Sequence, residues 1–348
     1  MPESSNSKRL PCEAEAAKKG LSWFSEGSFP LYLAPMAGFT DRPFRGICKE
    51  HGADVMVTEF VMANKFLDPR GERDAWEIVD FTPQQRPMGV QIFGSEPDKM
   101  AEAASRIAER LQPDFIDINY GCPAPKVVDN AAGSSLLRYP DKLQAVAAAV
   151  VERVGDVLPV TAKIRIGWDS DSINAVDISK RLESVGIEAI AVHGRTKEQG
   201  YSGDANWEVI NAVADAVSVP VIGNGSVRTA EDVNRIRSSS KVKGLMIGRA
   251  ALGYPWIFRE IKYALETGQA LAPPTLTERW DALIRYSREL IDHRQKANRG
   301  DQINWMRSRL KSFAKGFPGS KNLRRELETV STLEELEAIR RKSDIESL

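Results

Sequence analysis

Asn119-Tyr120-Gly121-Cys122-Pro123 closes the apolar run Phe115-Ile116-Asp117-Ile118 and so places a thiol just beyond the carboxyl end of a strand. Barrel enzymes keep their chemistry at that end. A thiol there can serve as nucleophile or proton donor, although a lone cysteine is as often a small buried hydrophobe. Its company decides. Pro35-Met36-Ala37-Gly38, Glu59, Gln91, Asn119, Lys163 with Arg165, His193-Gly194-Arg195, Asn224-Gly225 and Gly248-Arg249 all sit near the carboxyl ends of other apolar runs. Core packing does not ask for polar groups at so many matching positions, so their convergence on one rim indicates a site.

Two of these clusters point to a ligand class. Gly223-Asn224-Gly225 and Gly248-Arg249-Ala250 follow the last two runs, where barrels commonly bind phosphate through backbone N–H groups and a cation. Either cluster alone reads as a turn; together they favour phosphate. In Ala162-Lys163-Ile164-Arg165, alternation sends both cations to one face, which for an inner barrel strand is the lumen. A buried cation needs an anion or an electron-rich ring nearby, and an ion pair with Glu59 is the competing structural reading.

The elements that must position these residues follow from hydrophobic periodicity. Eight short apolar runs (31–36, 55–59, 88–93, 115–119, 160–166, 189–193, 219–223 and 244–247) alternate with amphipathic segments such as 98–111 and 172–185. Strand-helix alternation implies parallel strands, and eight units predict a (β/α)8 TIM barrel rather than an open doubly wound sheet. Residues 60–87 are irregular and Pro-interrupted, and are expected to form an extra hairpin or lid. Residues 1–28 read as a loose N-terminal extension, 29–267 as the barrel and 268–275 as a linker, with 276–348 a small helical bundle.

The formal net charge is zero, with 42% hydrophobic and 28% charged residues, so global basicity gives no argument for nucleic acid. Local clustering does. Between His293 and Arg325 stand ten Lys or Arg (294, 296, 299, 307, 309, 311, 315, 321, 324, 325) against one acid, Asp301. Trp305, Phe313 and Phe317 interleave with them, which makes a polyanion-binding face a candidate beside the plainer reading of a solvated surface. Cysteines at 12, 48 and 122 form no C-x-x-C pair, and the histidines at 51, 193 and 293 lie far apart, so neither disulfides nor a metal site is expected. No apolar run approaches the roughly 18 residues of a membrane span. The expected protein is soluble, cytoplasmic and monomeric.

The motifs also carry a resemblance. Ala34-Pro35-Met36-Ala37-Gly38-Phe39-Thr40-Asp41, Gly89-Val90-Gln91-Ile92-Phe93-Gly94, Asp117-Ile118-Asn119-Tyr120-Gly121-Cys122-Pro123, Lys163-Ile164-Arg165, His193-Gly194-Arg195-Thr196 and Gly248-Arg249-Ala250 closely resemble the tRNA-dihydrouridine synthases, most of all the bacterial B-type branch. The similarity runs over about 31–325 and takes in Phe317-Pro318-Gly319. It implies an FMN enzyme that uses NADPH to reduce particular tRNA uridines to 5,6-dihydrouridine, on a TIM barrel followed by a helical tRNA-binding domain.

By that resemblance Pro35, Met36 and Ala37 line the flavin, Gln91 and Lys163 contact its rings, His193 lies beside it, and Asn224, Gly225, Ser226, Gly248 and Arg249 hold its phosphate. Ser226 stands where the family often has an acid, which puts one outer contact in doubt. Uracil's C5=C6 bond is conjugated to the C4 carbonyl, so it accepts hydride at C6 and needs a proton at C5. Cys122 is the candidate proton donor, with Asn119 and Arg165 as candidates for holding the uracil edge. A small-molecule flavin dehydrogenase, acting on a free pyrimidine or dihydroorotate, is the alternative that would share the barrel but not need the basic tail.

Overall fold

The computed structural model describes residues 20–296, 303–315, 317 and 319–346. The barrel half contains β1 (Leu31–Leu33), α1 (Arg42–Glu50), β2 (Met56–Val57), β3 (Val61–Met62), α2 (Pro69–Ile78), β4 (Met88–Phe93), α3 (Pro97–Leu111) and β5 (Phe115–Tyr120). It continues through α4 (Pro125–Val128), α5 (Pro140–Val154), β6 (Val160–Arg165), α6 (Ala175–Ser184), β7 (Ala189–His193), α7 (Trp207–Ala216), β8 (Val221–Asn224), α8 (Ala230–Ser239), β9 (Gly244–Ile247) and α9 (Ile257–Thr267). Four helices follow: α10 (Leu276–Lys296), α11 (Ile303–Phe313), α12 (Ser320–Thr329) and α13 (Leu333–Glu346).

Every strand pairing is parallel, in the order β1-β9-β8-β7-β6-β5-β4-β2. The bridge between Tyr32 and Val55 closes the ring, so the predicted TIM barrel is the observed one. Pro opens α2, α3, α4 and α5, where its missing N–H costs nothing. Asp41, Asn206 and Thr229 cap α1, α7 and α8 by accepting backbone N–H bonds.

The second barrel position is split. The Thr58 hydroxyl accepts the Gln91 N–H at 3.1 Å, doing the work of a backbone carbonyl, and the strand resumes as β3 against Ile92 and Phe93. After it, residues 63–78 form a 3-10 turn and α2, packed through Phe66 and Trp76 with ring centroids 4.8 Å apart. The expected hairpin or lid is therefore a helix: Pro69, which reads as a break, is a helix-opening residue.

Two apolar layers make the core. Between strands and helices lies the larger one; inside the barrel Tyr32, Val55, Val57, Phe115, Ala189, Ala191, Ile222 and Met246 fill the amino-terminal half of the lumen. Leu21, Trp23 and Phe24 pack beneath that fill, and Trp23 Nε1 donates to the Tyr32 hydroxyl at 2.5 Å. Residues 20–28 are thus a floor under the barrel, whereas the sequence read them as loose. Residues 1–19 lie outside the described residues.

The C-terminal helices share the barrel's core. Phe44 of α1 meets Tyr286 and Phe313 edge-on at 6.3 and 6.1 Å, and the Tyr286 hydroxyl donates to Asp41 at 2.8 Å. At Gly253 a side chain would stand 2.1 Å from the Ser312 carbonyl oxygen, so the loop after β9 can approach α11 only with glycine there. This packing corrects the polyanion reading in part. Phe313 and Phe317 are core residues, and Arg309 is buried with an ion pair to Asp41 at 3.2 Å. Lys311 pairs with Glu328, and Arg307 donates to the Val330 carbonyl. Lys315, Lys321 and Arg324 are exposed and, among the described residues, without an ion pair. The Trp305 side chain lies outside the described residues.

Candidate active site

Along β5, alternation sends Phe115, Asp117 and Asn119 to one face, and with it the lumen changes character. Phe115 belongs to the apolar fill. One layer higher, Asp117 accepts from Thr161 Oγ1 and from Gln91 Nε2, each at 2.6 Å, and burial raises its carboxyl above the ordinary value. Gln91 Oε1 accepts from Asn119 Nδ2 at 2.7 Å. Asn119 Oδ1 in turn accepts the N–H groups of Gly121 and Cys122 at 3.0 and 2.9 Å, folding the chain into an Asx turn at the strand end. Gln91 and Asn119 thus form a buried strut that carries the Cys122 loop.

Cys122 is 7% exposed, beside Phe93, Val127 and Ala132. Its carbonyl accepts from the N–H and hydroxyl of Ser134. Burial pushes the thiol up, opposed by the Ala124 N–H and by the charges of Arg165 and Lys163. The group is therefore a neutral acid near pH 7, suited to giving a proton rather than to attack as thiolate.

Lys163 is the one position of β6 that is only partly covered. Its Nζ donates to Asn224 Oδ1 at 3.2 Å rather than to Glu59, which accepts the Gly38 N–H at 2.7 Å instead. Burial, then the neighbouring Arg165, holds the Lys163 ammonium down at about 8. Arg165 itself is a buried tie: Nε donates to Gly121 O, and Nη1 to Thr196 O and Gly200 O, all at 2.8 Å. It joins the loops after β5 and β7.

His193 faces Arg195 Nη1 through Nε2 at 3.2 Å. Guanidinium can only donate, so Nε2 accepts and the ring proton sits on Nδ1. Burial and the cations Lys163, Arg165, Arg195 and Arg249 keep the imidazole neutral throughout the physiological range. Arg195 Nη2 reaches Gly203 O at 2.6 Å and Ser226 Oγ at 3.1 Å, and Ser226 Oγ also accepts the Ala205 N–H. Ser226 therefore supplies an acceptor to Arg195.

Gly225 has φ +120°, and a side chain there would stand 2.7 Å from the Ala205 Cβ. Among the described residues the N–H groups of Gly225, Ser226, Gly248 and Arg249 have no acceptor. Arg249 is exposed above Tyr201, with its guanidinium carbon 4.9 Å from the ring centre. Pro35, Met36 and Ala37 are open to solvent in part or fully, and the Met36 sulfur flanks Gly248. Four donors without partners, two partly exposed glycines and a cation at the ends of β8 and β9 are the kind of groups that bind phosphate.

The sequence reading did not single out Asp117, Thr161, Thr58 or Tyr201. Asp117 was discoverable, since alternation from Asn119 puts it on the lumen face; Tyr201 carries only its flanking glycines as a signal.

Comparison with known proteins agrees with this geometry. The family described as Dihydrouridine synthase (Dus) matches residues 32–347. The tRNA-dihydrouridine synthase B of Pseudomonas aeruginosa is 45% identical over 260 residues, covering 75% of this chain and 77% of its own. That of Pectobacterium carotovorum is 43% identical over 262 residues, covering 75% and 80%. Among solved structures, histamine dehydrogenase from Rhizobium sp. 4-9 superposes with TM-score 0.52 at 13% identity, over 74% of this chain and 48% of that one, a likeness of fold alone. The chain belongs to the dihydrouridine synthase family, and within it to the branch of the tRNA-dihydrouridine synthases B.

Proposed function

We propose that this chain binds FMN in the barrel mouth and, with NADPH as reductant, reduces particular uridines of tRNA to 5,6-dihydrouridine. The observation that carries the reading is the convergence, at one open strand end, of a neutral thiol, a half-open lysine and a cradle of unpaired N–H donors. These residues fit the cofactor. The N–H groups of Gly225, Ser226, Gly248 and Arg249 with the Arg249 guanidinium suit its phosphate, and Lys163 with the 35–37 turn suits its ring system. When bound, FMN supplies the hydride that uracil accepts at C6.

The chain's own residues do the rest. Cys122 holds the proton that C5 requires, and burial keeps that proton in place until a base with developing carbanion character arrives. At 7% exposure the thiol is nearly covered, so a base that meets it displaces part of the 123–132 loop. Gln91 and Asn119 act through the Asx turn that orients Cys122. Arg165, whose Nε and Nη1 are bound by backbone carbonyls, keeps Nη2 for the uracil edge. His193, held neutral, offers Nδ1–H as a donor. The uridine has to leave its stack to enter the mouth, as in other enzymes that act on single bases. The exposed Lys315, Lys321 and Arg324 of the helical part supply phosphate contacts.

The test is direct: purified protein with NADPH and an unmodified tRNA transcript forms dihydrouridine, read as a gain of two hydrogens in nucleoside mass spectrometry. Turnover of free uracil or dihydroorotate with none on tRNA would instead establish the small-molecule alternative.

A further inference from the structure

We propose that the loops after β5, β6 and β7 form a platform for single-stranded RNA beside the mouth, with Trp168 at its centre and Arg138 and Lys197 as its phosphate-binding cations. The inference rests on RNA being the substrate and adds where the barrel itself grips it.

The Arg138 guanidinium carbon stands 4.0 Å from the Trp168 ring centre and Lys197 Nζ 4.2 Å from it. Each residue comes from a different loop, and hydrogen bonds to backbone carbonyls tie the three loops together. Asn174 Nδ2 donates to Leu137 O at 2.7 Å, Lys197 N to Gly167 O at 3.0 Å and Glu198 N to Trp168 O at 2.9 Å. Each cation is attracted to the indole face while the two like charges repel each other, and an anion bound beside them would relieve that repulsion. Among the described residues neither cation has a carboxylate partner. The adjacent Asp169 is turned to Ser172 Oγ at 2.7 Å and Asp171 N at 3.0 Å.

Exposed apolar side chains, two of them aromatic, point the same way. Four large apolar side chains are exposed among the described residues, and three of them, Tyr139, Ile173 and Tyr201, lie on these same loops. Arg138 also lies over Tyr139, and Arg165 and Arg249 over Tyr201. Cations alone would suit any acidic surface; cations beside exposed flat rings suit a chain of phosphates that also carries bases to stack. Located next to Thr196 and Gly200, which Arg165 ties to the Cys122 loop, the platform adjoins the reacting base and would hold its neighbours.

The experiment compares two full-length flavoproteins that each lose two charges: Arg138→Gln/Lys197→Gln at the mouth, and Lys241→Gln/Lys243→Gln at the opposite end of the barrel. Affinity for unmodified tRNA is measured over a salt series, without turnover. The mouth variant is expected to bind about 10-fold more weakly at low salt, with a slope of log K against log salt shallower by about 1.4, the value for two single-strand phosphates. The floor variant matches wild type, and Arg138→Lys/Lys197→Arg restores the slope. Equal affinity and slope in the mouth variant, an equal loss in the floor variant, or no recovery with the charge-conserving pair would overturn the platform. A wild type that binds tRNA through these residues yet forms no dihydrouridine would defeat the proposed activity and leave the platform standing.

Discussion

The two ends of the barrel are built from the same strands and teach opposite lessons. At the amino-terminal end, inward positions are Tyr32, Phe115, Ala189 and Ile222, closed from below by Trp23 and Phe24. Two to four residues further along the same strands they are Asn119, His193 and Asn224, with Lys163 only partly covered. Between them the Asp117, Gln91 and Thr161 layer turns oil into hydrogen bonds. The floor supplies stability by apolar burial, and the mouth leaves donors unpaired and cations uncompensated, arrangements that cost stability and serve a ligand.

That division can be broken at either end. The largest effect on ligand binding is expected from Gly225→Val at the mouth. The new side chain needs φ +120° and the space of Ala205, a strain of about 3 kcal/mol, or ~100-fold in flavin affinity, relieved by moving the cradle. The purified variant emerges colourless, checked by its visible absorbance; full flavin occupancy would show that phosphate binds elsewhere. Next comes the floor. Trp23→Ala loses about 2 kcal/mol of stability in denaturant unfolding, less than a fully buried aromatic because the indole is half-buried. Turnover per folded molecule stays at the wild-type level, and a matching loss of turnover would mean that the ends are not separable.

The smallest effects are slopes of stability with pH in the flavin-free protein. Lys163 titrates at about 8 against 10.5 unfolded, so the folded chain binds fewer protons between these values. Its contribution therefore rises with pH through that window and is lost as pH falls through 8. Glu59 titrates at about 7 against 4.5, raised by burial and Asp41 and opposed by the Gly38 N–H, Arg309 and Arg45. Its contribution is fully present below 4.5 and is lost as pH rises through 7. Lys163→Met removes the first slope and Glu59→Gln the second; unfolding curves taken across pH would contradict both assignments if the variants kept the wild-type profile.

How much of this was written in the sequence depends on what each segment buries. β4, β7 and β9 were legible to the residue because they are apolar runs bounded by Pro, Gly or polar residues. The split at 58–60 was not, since it depends on a threonine hydroxyl replacing a carbonyl across the sheet. In the C-terminal helices, cations and aromatics alternate, and local spacing does not say which face meets α1; so Phe313, Phe317 and Arg309 counted toward a candidate polyanion-binding or solvated surface when they are interior. At the mouth the polar residues could be named, but not which ones touch a ligand. Gln91 and Asn119 turn out to brace the Cys122 loop, a role that only the bonding pattern reveals.

The central claim, that Cys122 gives its proton to the base across the mouth from the flavin, is tested most directly by Cys122→Ala. The pre-reduced, flavin-loaded variant is mixed with unmodified tRNA and dihydrouridine is followed in a single turnover. The account predicts full flavin content with formation slowed about 10²- to 10⁴-fold, the worth of a positioned general acid. A wild-type rate in that variant would contradict it.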